Sequence, residues 1–255
     1  MSLAINNAFN SLVERYHRGR AVVVKARGGV GQLMHAMANL FFRLGKIPIE
    51  FCVDPQAWQR WEIRCYRMLN GRFATYPIGN QKVAQERLPG MSLWNHMTKG
   101  TLRRKMVRAG AREFRRAHSM PSDLYDDGLW SHGDATMANV IYDPATDRAR
   151  LIDFEILHRR DWPAVKRHAD DLLVFLFDLV SMAPRTRWLP LALEFLRTYG
   201  DPQVIAQVQK RLKAPAGLYR IWWHVRTNFV DTGKVMRRLV RLRTALQQSA
   251  MCQER

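Results

Sequence analysis

The chain has 255 residues, enough for one large domain or two lobes, and 47% of them are hydrophobic, a share that sets disorder aside for most of its length. Its 41 lysines and arginines against 22 acids give a formal charge of +19, which points to a polyanionic partner: nucleic acid, anionic lipid or a phosphorylated glycolipid. Cys52, Cys65 and Cys252 are odd in number and contain no CxxC pair, so they suggest neither a disulfide framework nor a zinc site and fit a reducing cytoplasm.

In chain order, the opening residues lack the charged and apolar segments of a signal peptide, and no apolar run nears the roughly 20 residues needed to span a bilayer. Any membrane association is therefore expected to be peripheral. Residues 1–19 are mixed in character and are expected to form a short helix, with nothing that reads as two strands around a glycine turn. Arg20 to Ala26 is β-branched and reads as a strand, followed by Arg27-Gly28-Gly29-Val30-Gly31. A strand running into glycines suggests a P-loop, but Gln32-Leu33 stand where its Lys-Ser/Thr pair belongs, so that reading fails.

Leu33, Met34, Met37, Leu40, Phe41 and Leu44 recur at helical spacing up to Gly45, a stripe that suits a core, a cover for a small lobe or a membrane face. Ile47 to Val53 reads as extended. Asp54-Pro55 then supplies an N-cap and a first-turn proline for a helix running to about Leu69, before Asn70-Gly71. Two short strands are expected around 73–78 and 82–85, then a turn at Pro89-Gly90. A helix over 102–118 carries seven bases with few acids, from Arg103 to Arg116, and reads as a docking surface or simply as a solvated face.

The stretch Trp130-Ser131-His132-Gly133-Asp134, with Asn139 five residues after the aspartate and Leu151-Ile152-Asp153-Phe154-Glu155 beyond, is where polar residues are spaced like a reaction site. Asp143-Pro-Ala-Thr-Asp147 reads as a turn between strands at 139–142 and 148–152, so that one hairpin brings Asn139 and Asp153 together. Downstream the chain reads as helical. One helix contains Asp170-Asp171, a second spans Trp188 to Tyr199 and ends at Gly200, a third opens at Pro202, and residues 214–217 break it. The last helices set Val235, Leu239, Leu242 and Leu246 on one face, with Trp222, Trp223 and five bases between Lys234 and Arg243. That pattern fits an anionic membrane surface as well as a terminal helix packed on the body of the protein.

His-Gly-Asp-x-x-x-x-Asn followed by Ile-Asp-Phe-Glu resembles the phosphotransferase branch of the protein-kinase-like superfamily, which includes aminoglycoside and choline kinases and the lipopolysaccharide-core sugar kinases. Protein kinases proper show His-Arg-Asp and Asp-Phe-Gly, so Gly133 and Glu155 point away from them. The resemblance implies an α+β, two-lobed kinase-like fold. Its reduced ATP lobe would end near residue 88, with residues 30–45 as an inserted helix, and a mainly helical lobe would follow over 89–255. It implies Asp134 as the base that takes the acceptor hydroxyl's proton, Asn139 and Asp153 as Mg²⁺ ligands, and Lys25 oriented by Glu62 on the ATP phosphates. Lys46 is nearer to Glu62 in sequence but follows a helix exit, and a solvated lysine at a strand end remains the competing reading of Lys25. Glu86 and Leu88 fall where the connecting segment would bond the adenine edge. Asp170 or Asp171 falls where an aspartate would brace the catalytic loop, while His158 and His168 are expected to be core or surface histidines.

The acceptor implied first is an inner-core sugar of lipopolysaccharide, an anionic glycolipid met at the inner face of the cytoplasmic membrane; a free small-molecule sugar is the variant. A serine/threonine kinase comes second and an aminoglycoside kinase third, since a cationic drug prefers an acidic pocket. A pseudokinase or anion-binding module is the rival from another class, motivated by the missing hairpin before Lys25. Nucleic acid as partner is disfavoured because no groove-reading or RNA-binding motif occurs.

Overall fold

The computed structural model describes residues 10–17 and 19–251. Residues Asn10–His17 are not helical, as the sequence suggests, but form strand β1, which runs antiparallel to β2 (Arg20–Arg27) with Gly19 at φ +76° in the turn. β1 thus adds one strand ahead of β2, the strand that carries Lys25; the remainder of the expected N-terminal helix lies outside the described residues. A strand of such mixed composition forms because β2 offers it a partner, with Val13 opposite Val24.

β2 continues the sheet through β5 (Lys82–Glu86) to β4 (Thr75–Ile78), giving the order β1-β2-β5-β4, all antiparallel. Between β2 and β4 the chain makes α1 (Gly29–Leu44), β3 (Ile49–Phe51) and α2 (Pro55–Asn70). The Asp54 side chain caps α2 by accepting from Ala57 N at 2.6 Å, and Pro55 opens it, as the sequence dictates. α2 lays Trp58 and Ile63 on Val83 of the sheet and sends Tyr66 and Leu69 into the larger core beyond. β3 pairs with the late strand β9 (Ile156–His158), and Asn39 of α1 satisfies its other edge by bonding both Phe51 N and Phe51 O, at 2.7 and 2.9 Å.

After the Pro89-Gly90 turn come β6 (Met91–Ser92), α3 (Leu93–Thr98) and α4 (Arg104–His118). The β7–β8 hairpin (Val140–Asp143, Arg148–Leu151) and β9 follow. The rest is helical: α5 (Ala164–Met182), α6 (Trp188–Tyr199), α7 (Pro202–Arg211), α8 (Tyr219–Arg226) and α9 (Thr232–Met251). α5 is buried from Arg167 to Ser181 and is the axis of the large core, packed by Phe114 of α4, Phe195 of α6 and Val235, Leu239 and Leu242 of α9.

Two expectations about surface charge and tryptophan give way to packing. Bases of α4 pair with distant acids: Arg115 with Asp201, Arg108 with Glu194 and Arg112 with Asp147, while Arg116 grips Glu113 and the Leu69 carbonyl. Trp223 is buried, and the half-buried Trp222 meets Phe42 of α1 edge-on at 4.9 Å. In α9, Lys234 bonds Ser181 O and Arg238 bonds Val180 O and Ala183 O. Two of its five bases thus cap the free carbonyls at the end of α5.

Candidate active site

The loop from Trp130 to Asn139 is held from below by side chains of α5. Asp171 accepts His132 N and Gly133 N at 2.8 Å each, and Asp178, two turns further on, accepts Met137 N at 2.8 Å. Asp171 also meets His118 Nε2 at 3.1 Å, and against its burial the neighbouring His158, His118 and His132 rings hold its carboxyl far below the usual carboxylate range. Burial pushes Asp178 up to about 7. Asp170 does not touch the loop backbone itself. It binds Arg211 at 2.5 Å and Arg226 at 2.8 Å, and Arg226 donates to the Gly133 carbonyl at 3.1 Å.

Gly133 sits at φ +84°, and a Cβ there would lie 2.3 Å from the Ile156 carbonyl of β9. Glycine is required because two backbones meet at this point. The ring of His132 stands between Trp130 and Phe154 and reaches Ile152 O at 3.0 Å, tying the loop to the segment that carries Asp153.

Above the loop, Lys25 of β2 ion-pairs with Glu62 of α2 and lies 2.7 Å from Asp153 Oδ1; Lys25 is 6% exposed and Glu62 fully buried. Burial alone would favour a neutral amine, but Asp153 and Glu62 more than offset it and raise the Lys25 pKa. Burial likewise opposes the charge on Asp153, and the Lys25 ammonium overcomes that and lowers its carboxyl. Glu62 uses both oxygens: Oε1 also accepts Gln85 Nε2 at 3.1 Å, and Oε2 accepts Phe154 N at 3.0 Å. Trp61 Nε1 bonds the Phe154 carbonyl at 2.9 Å, so α2 holds both sides of that peptide segment. Asp153 itself is at φ +70°, a strained conformation that these bonds impose.

The β7–β8 hairpin brings the remaining groups together. Asn139 O accepts Ile152 N at 3.1 Å, and Asn139 Nδ2 donates to the Asp134 carbonyl at 2.8 Å and to its carboxylate at 3.2 Å. Burial, reinforced by the charge of Asp153, raises the Asp134 carboxyl above its ordinary value. The Asp153 carboxylate and the Asn139 amide, whose nitrogen is already used on Asp134, offer hard oxygen donors. That set fits magnesium, which takes one or two carboxylates and completes its shell with water and substrate phosphates. Among the described residues no cluster of three or more acidic, histidine or cysteine side chains offers a protein-only metal cage.

Lys46, the alternative lysine, is exposed at φ +52° after α1, and it is Lys25 that the structure brings to Glu62 and Asp153. The Glu86 carboxylate is tied to Arg20 at 2.5 Å and to Ala74 N at 2.9 Å, and its carbonyl accepts the Tyr66 hydroxyl. Only the second lone pair of that carbonyl is left for a ligand. Arg87 N donates to Ala21 O, and the Leu88 side chain is buried in the large core. His158 and His168 are buried braces: His158 bonds Ser131 Oγ at 2.9 Å and Asp170 at 3.3 Å, and His168 reaches Trp130 O at 3.0 Å while stacking on His118 at 4.0 Å.

The sequence reasoning missed Arg226, Asp178 and Arg27. Arg27 is buried over the Trp58 ring at 4.5 Å, with Nη1 on the Cys52 carbonyl and Nη2 3.6 Å from Glu155. Asp178 had a readable signal, since it lies seven residues after Asp171 in an apolar helix and so shares its face. Arg226 had none.

No protein-family model and no curated protein matches the chain. Solved structures do. An ethanolamine kinase of Plasmodium vivax superposes with a TM-score of 0.50 at 10% identity, over 93% of this chain and 79% of that one. A type VIII aminoglycoside-3'-phosphotransferase gives 0.40 at 17% identity, over 78% and 92%. The PknI kinase domain of Mycobacterium tuberculosis gives 0.42 at 18% identity, over 78% and 85%. At 10% identity the ethanolamine kinase likeness speaks for the fold alone: an α+β, kinase-like architecture with a small antiparallel sheet and a mainly helical remainder.

Proposed function

We propose that the protein is a phosphotransferase that moves the γ-phosphoryl group of ATP to a hydroxyl, with the nucleotide held between the part up to residue 88 and the helical part from residue 89 on. The observation that carries this reading is the buried Lys25 ammonium, pinned by Glu62 and Asp153 over a loop that presents Asp134 and Asn139. Lys25, kept charged by its two acids, orients the phosphates, and Glu62 keeps it there. Asp134, with its raised affinity for a proton, accepts the one released by the acceptor hydroxyl. Asp153 and the Asn139 amide oxygen would hold magnesium, which neutralises charge that grows on the transferred group. The main chain of Glu86 and Leu88 would face the adenine edge. The chemistry asked of these residues is placement and charge stabilisation, which suits a site whose members are fixed by hydrogen bonds to α2 and α5.

For the acceptor, the reading is a sugar hydroxyl of an anionic glycolipid, with lipopolysaccharide inner core as the first choice. Besides the sequence resemblance, α1 supports a peripheral contact with an anionic membrane. Val30, Leu33, Met37, Leu40 and Leu44 are each at least 60% exposed along one face of α1, which carries no acid. α1 stands on β3 and, through β9, against the catalytic loop. No described helix is long and apolar enough to cross a membrane. The inactive-module rival, motivated by a missing glycine-rich hairpin ahead of Lys25, differs in one readout: it would bind nucleotide without consuming ATP.

The test is incubation with γ-labelled ATP and Mg²⁺ beside core glycolipid, a generic protein substrate and an aminoglycoside. Label should appear in the glycolipid, and Asp153→Asn, whose amide oxygen can still accept from Lys25, should fold and melt cooperatively yet transfer nothing. Undiminished transfer by Asp153→Asn would remove this site from the chemistry, and label in the protein or the drug would replace the acceptor.

A further inference from the structure

A cavity of about 210 Å³ lies between the end of α2, α4 and β8. Four arginines line it, Arg72, Arg116, Arg148 and Arg150, with Glu113 as the one acid among its lining residues. Arg116 is neutralised by Glu113 through two bonds, at 2.8 and 2.5 Å. The other three are not so matched. Arg150 is 6% exposed, and its Nη1 has no hydrogen-bond partner, the nearest acid being Asp143 at 3.7 Å. Burial first, and then repulsion from Arg72 and Arg148, disfavours its charge. Asn70, 3% exposed, donates Nδ2 to the Leu151 carbonyl at 2.9 Å, which fixes its orientation and leaves Oδ1 buried without a partner at the same cavity.

A buried guanidinium that lacks its hydrogen bond and faces two like charges is costly unless an anion completes it. The cavity is larger than a bare phosphate needs, and Asn70, which lines it, keeps a buried amide oxygen without a partner that a hydroxyl donor would satisfy. We infer that this cavity is a binding site for a hydroxylated phosphate monoester of sugar-phosphate size, with the phosphate on Arg72, Arg148 and Arg150 and a ligand hydroxyl on Asn70 Oδ1. The guanidinium forks suit phosphate oxygens in pairs. None of these residues belongs to the proposed phosphotransfer chemistry. The site nevertheless adjoins it, because Arg150 is on β8 and Asn70 grips Leu151, two residues before Asp153.

The experiment titrates the full-length protein with glucose 6-phosphate, inorganic phosphate and glucose by calorimetry, at ionic strength held constant with chloride. Glucose 6-phosphate should bind best, inorganic phosphate more weakly, and glucose not at all. Arg72 and Arg148 are exposed, so Arg72→Gln/Arg148→Gln should fold normally and weaken glucose 6-phosphate at least about tenfold. Saturating Mg²⁺–ATP, which belongs to the other phosphate-binding region, should leave the binding unchanged. The inference is overturned if wild type does not bind glucose 6-phosphate, if the double arginine variant binds it as wild type does, or if ATP displaces it. None of these readouts depends on turnover, so they stand apart from the test of phosphotransfer.

Discussion

Replacing Glu62 by glutamine tests the centre of the proposed site with the smallest change of shape. The carboxylate serves three donors: Lys25 Nζ and Gln85 Nε2 on one oxygen and Phe154 N on the other. An amide has a single acceptor oxygen, so one of its two orientations sets an NH2 group against the Phe154 amide and the other sets it against the lysine. The first is cheaper. It strands one buried N–H, worth about 1–3 kcal/mol, and removes one of the two charges that balance Lys25. Breaking a buried ion pair outright costs about 3–5 kcal/mol, and Asp153 remains as a partner, so the expected loss is about 3 kcal/mol. Urea denaturation followed by tryptophan fluorescence would read this at unchanged m value. Displacement of Lys25 and the Phe154 segment should also cut phosphotransfer about a hundredfold or more. A Glu62→Gln protein within 1 kcal/mol of wild type, with turnover intact, would show that the three-donor account of this residue is wrong.

Two further outcomes follow from the geometry. Gly133→Ala places a methyl group 2.3 Å from the Ile156 carbonyl at a positive φ, so it should lower the melting temperature by about 5 °C and depress turnover together; unchanged melting and activity would mean that the two backbones are not in contact. The acid limb of stability should depend on His168, which burial pushes down from 6.5 to about 3. Between those values the unfolded chain binds a proton that the native one refuses, so stability falls as pH drops below 6.5, by up to about 5 kcal/mol from this group. His168→Gln keeps a donor for Trp130 O and cannot protonate, so its urea midpoint should depend less on pH between 6.5 and 4; the same slope as wild type would refute the assignment.

The parts of this protein that could be read from its sequence are those whose signal is local. Asp54-Pro55, Gly200 and Pro202 mark helix ends by chemistry that acts within a turn, and the spacing of His132, Asp134, Asn139 and Asp153 is set by one hairpin. What could not be read depends on partners far along the chain. β1 is a strand because β2 lies beside it, not because Ser-Leu-Val-Glu-Arg-Tyr favours one. The bases of α4 look unmatched until the fold brings Asp147, Glu194 and Asp201 to them. Periodicity identified α1 as a helix with an apolar stripe but could not tell a buried stripe from an exposed one, and most of that stripe faces outward. Arg226 supports Gly133 from 93 residues away, which no pattern in the chain announces.

α5 carries the acids that suspend the reaction loop, and the same helix is the axis of the largest hydrophobic core. The loop therefore has no independent fluctuation of its own to lose or gain: its amides at His132, Gly133 and Met137 inherit the protection of the whole molecule. In hydrogen exchange these three should be among the slowest amides outside regular helices and strands. A substitution anywhere along the core that loosens α5 would then register as a fault in the reaction centre without touching it.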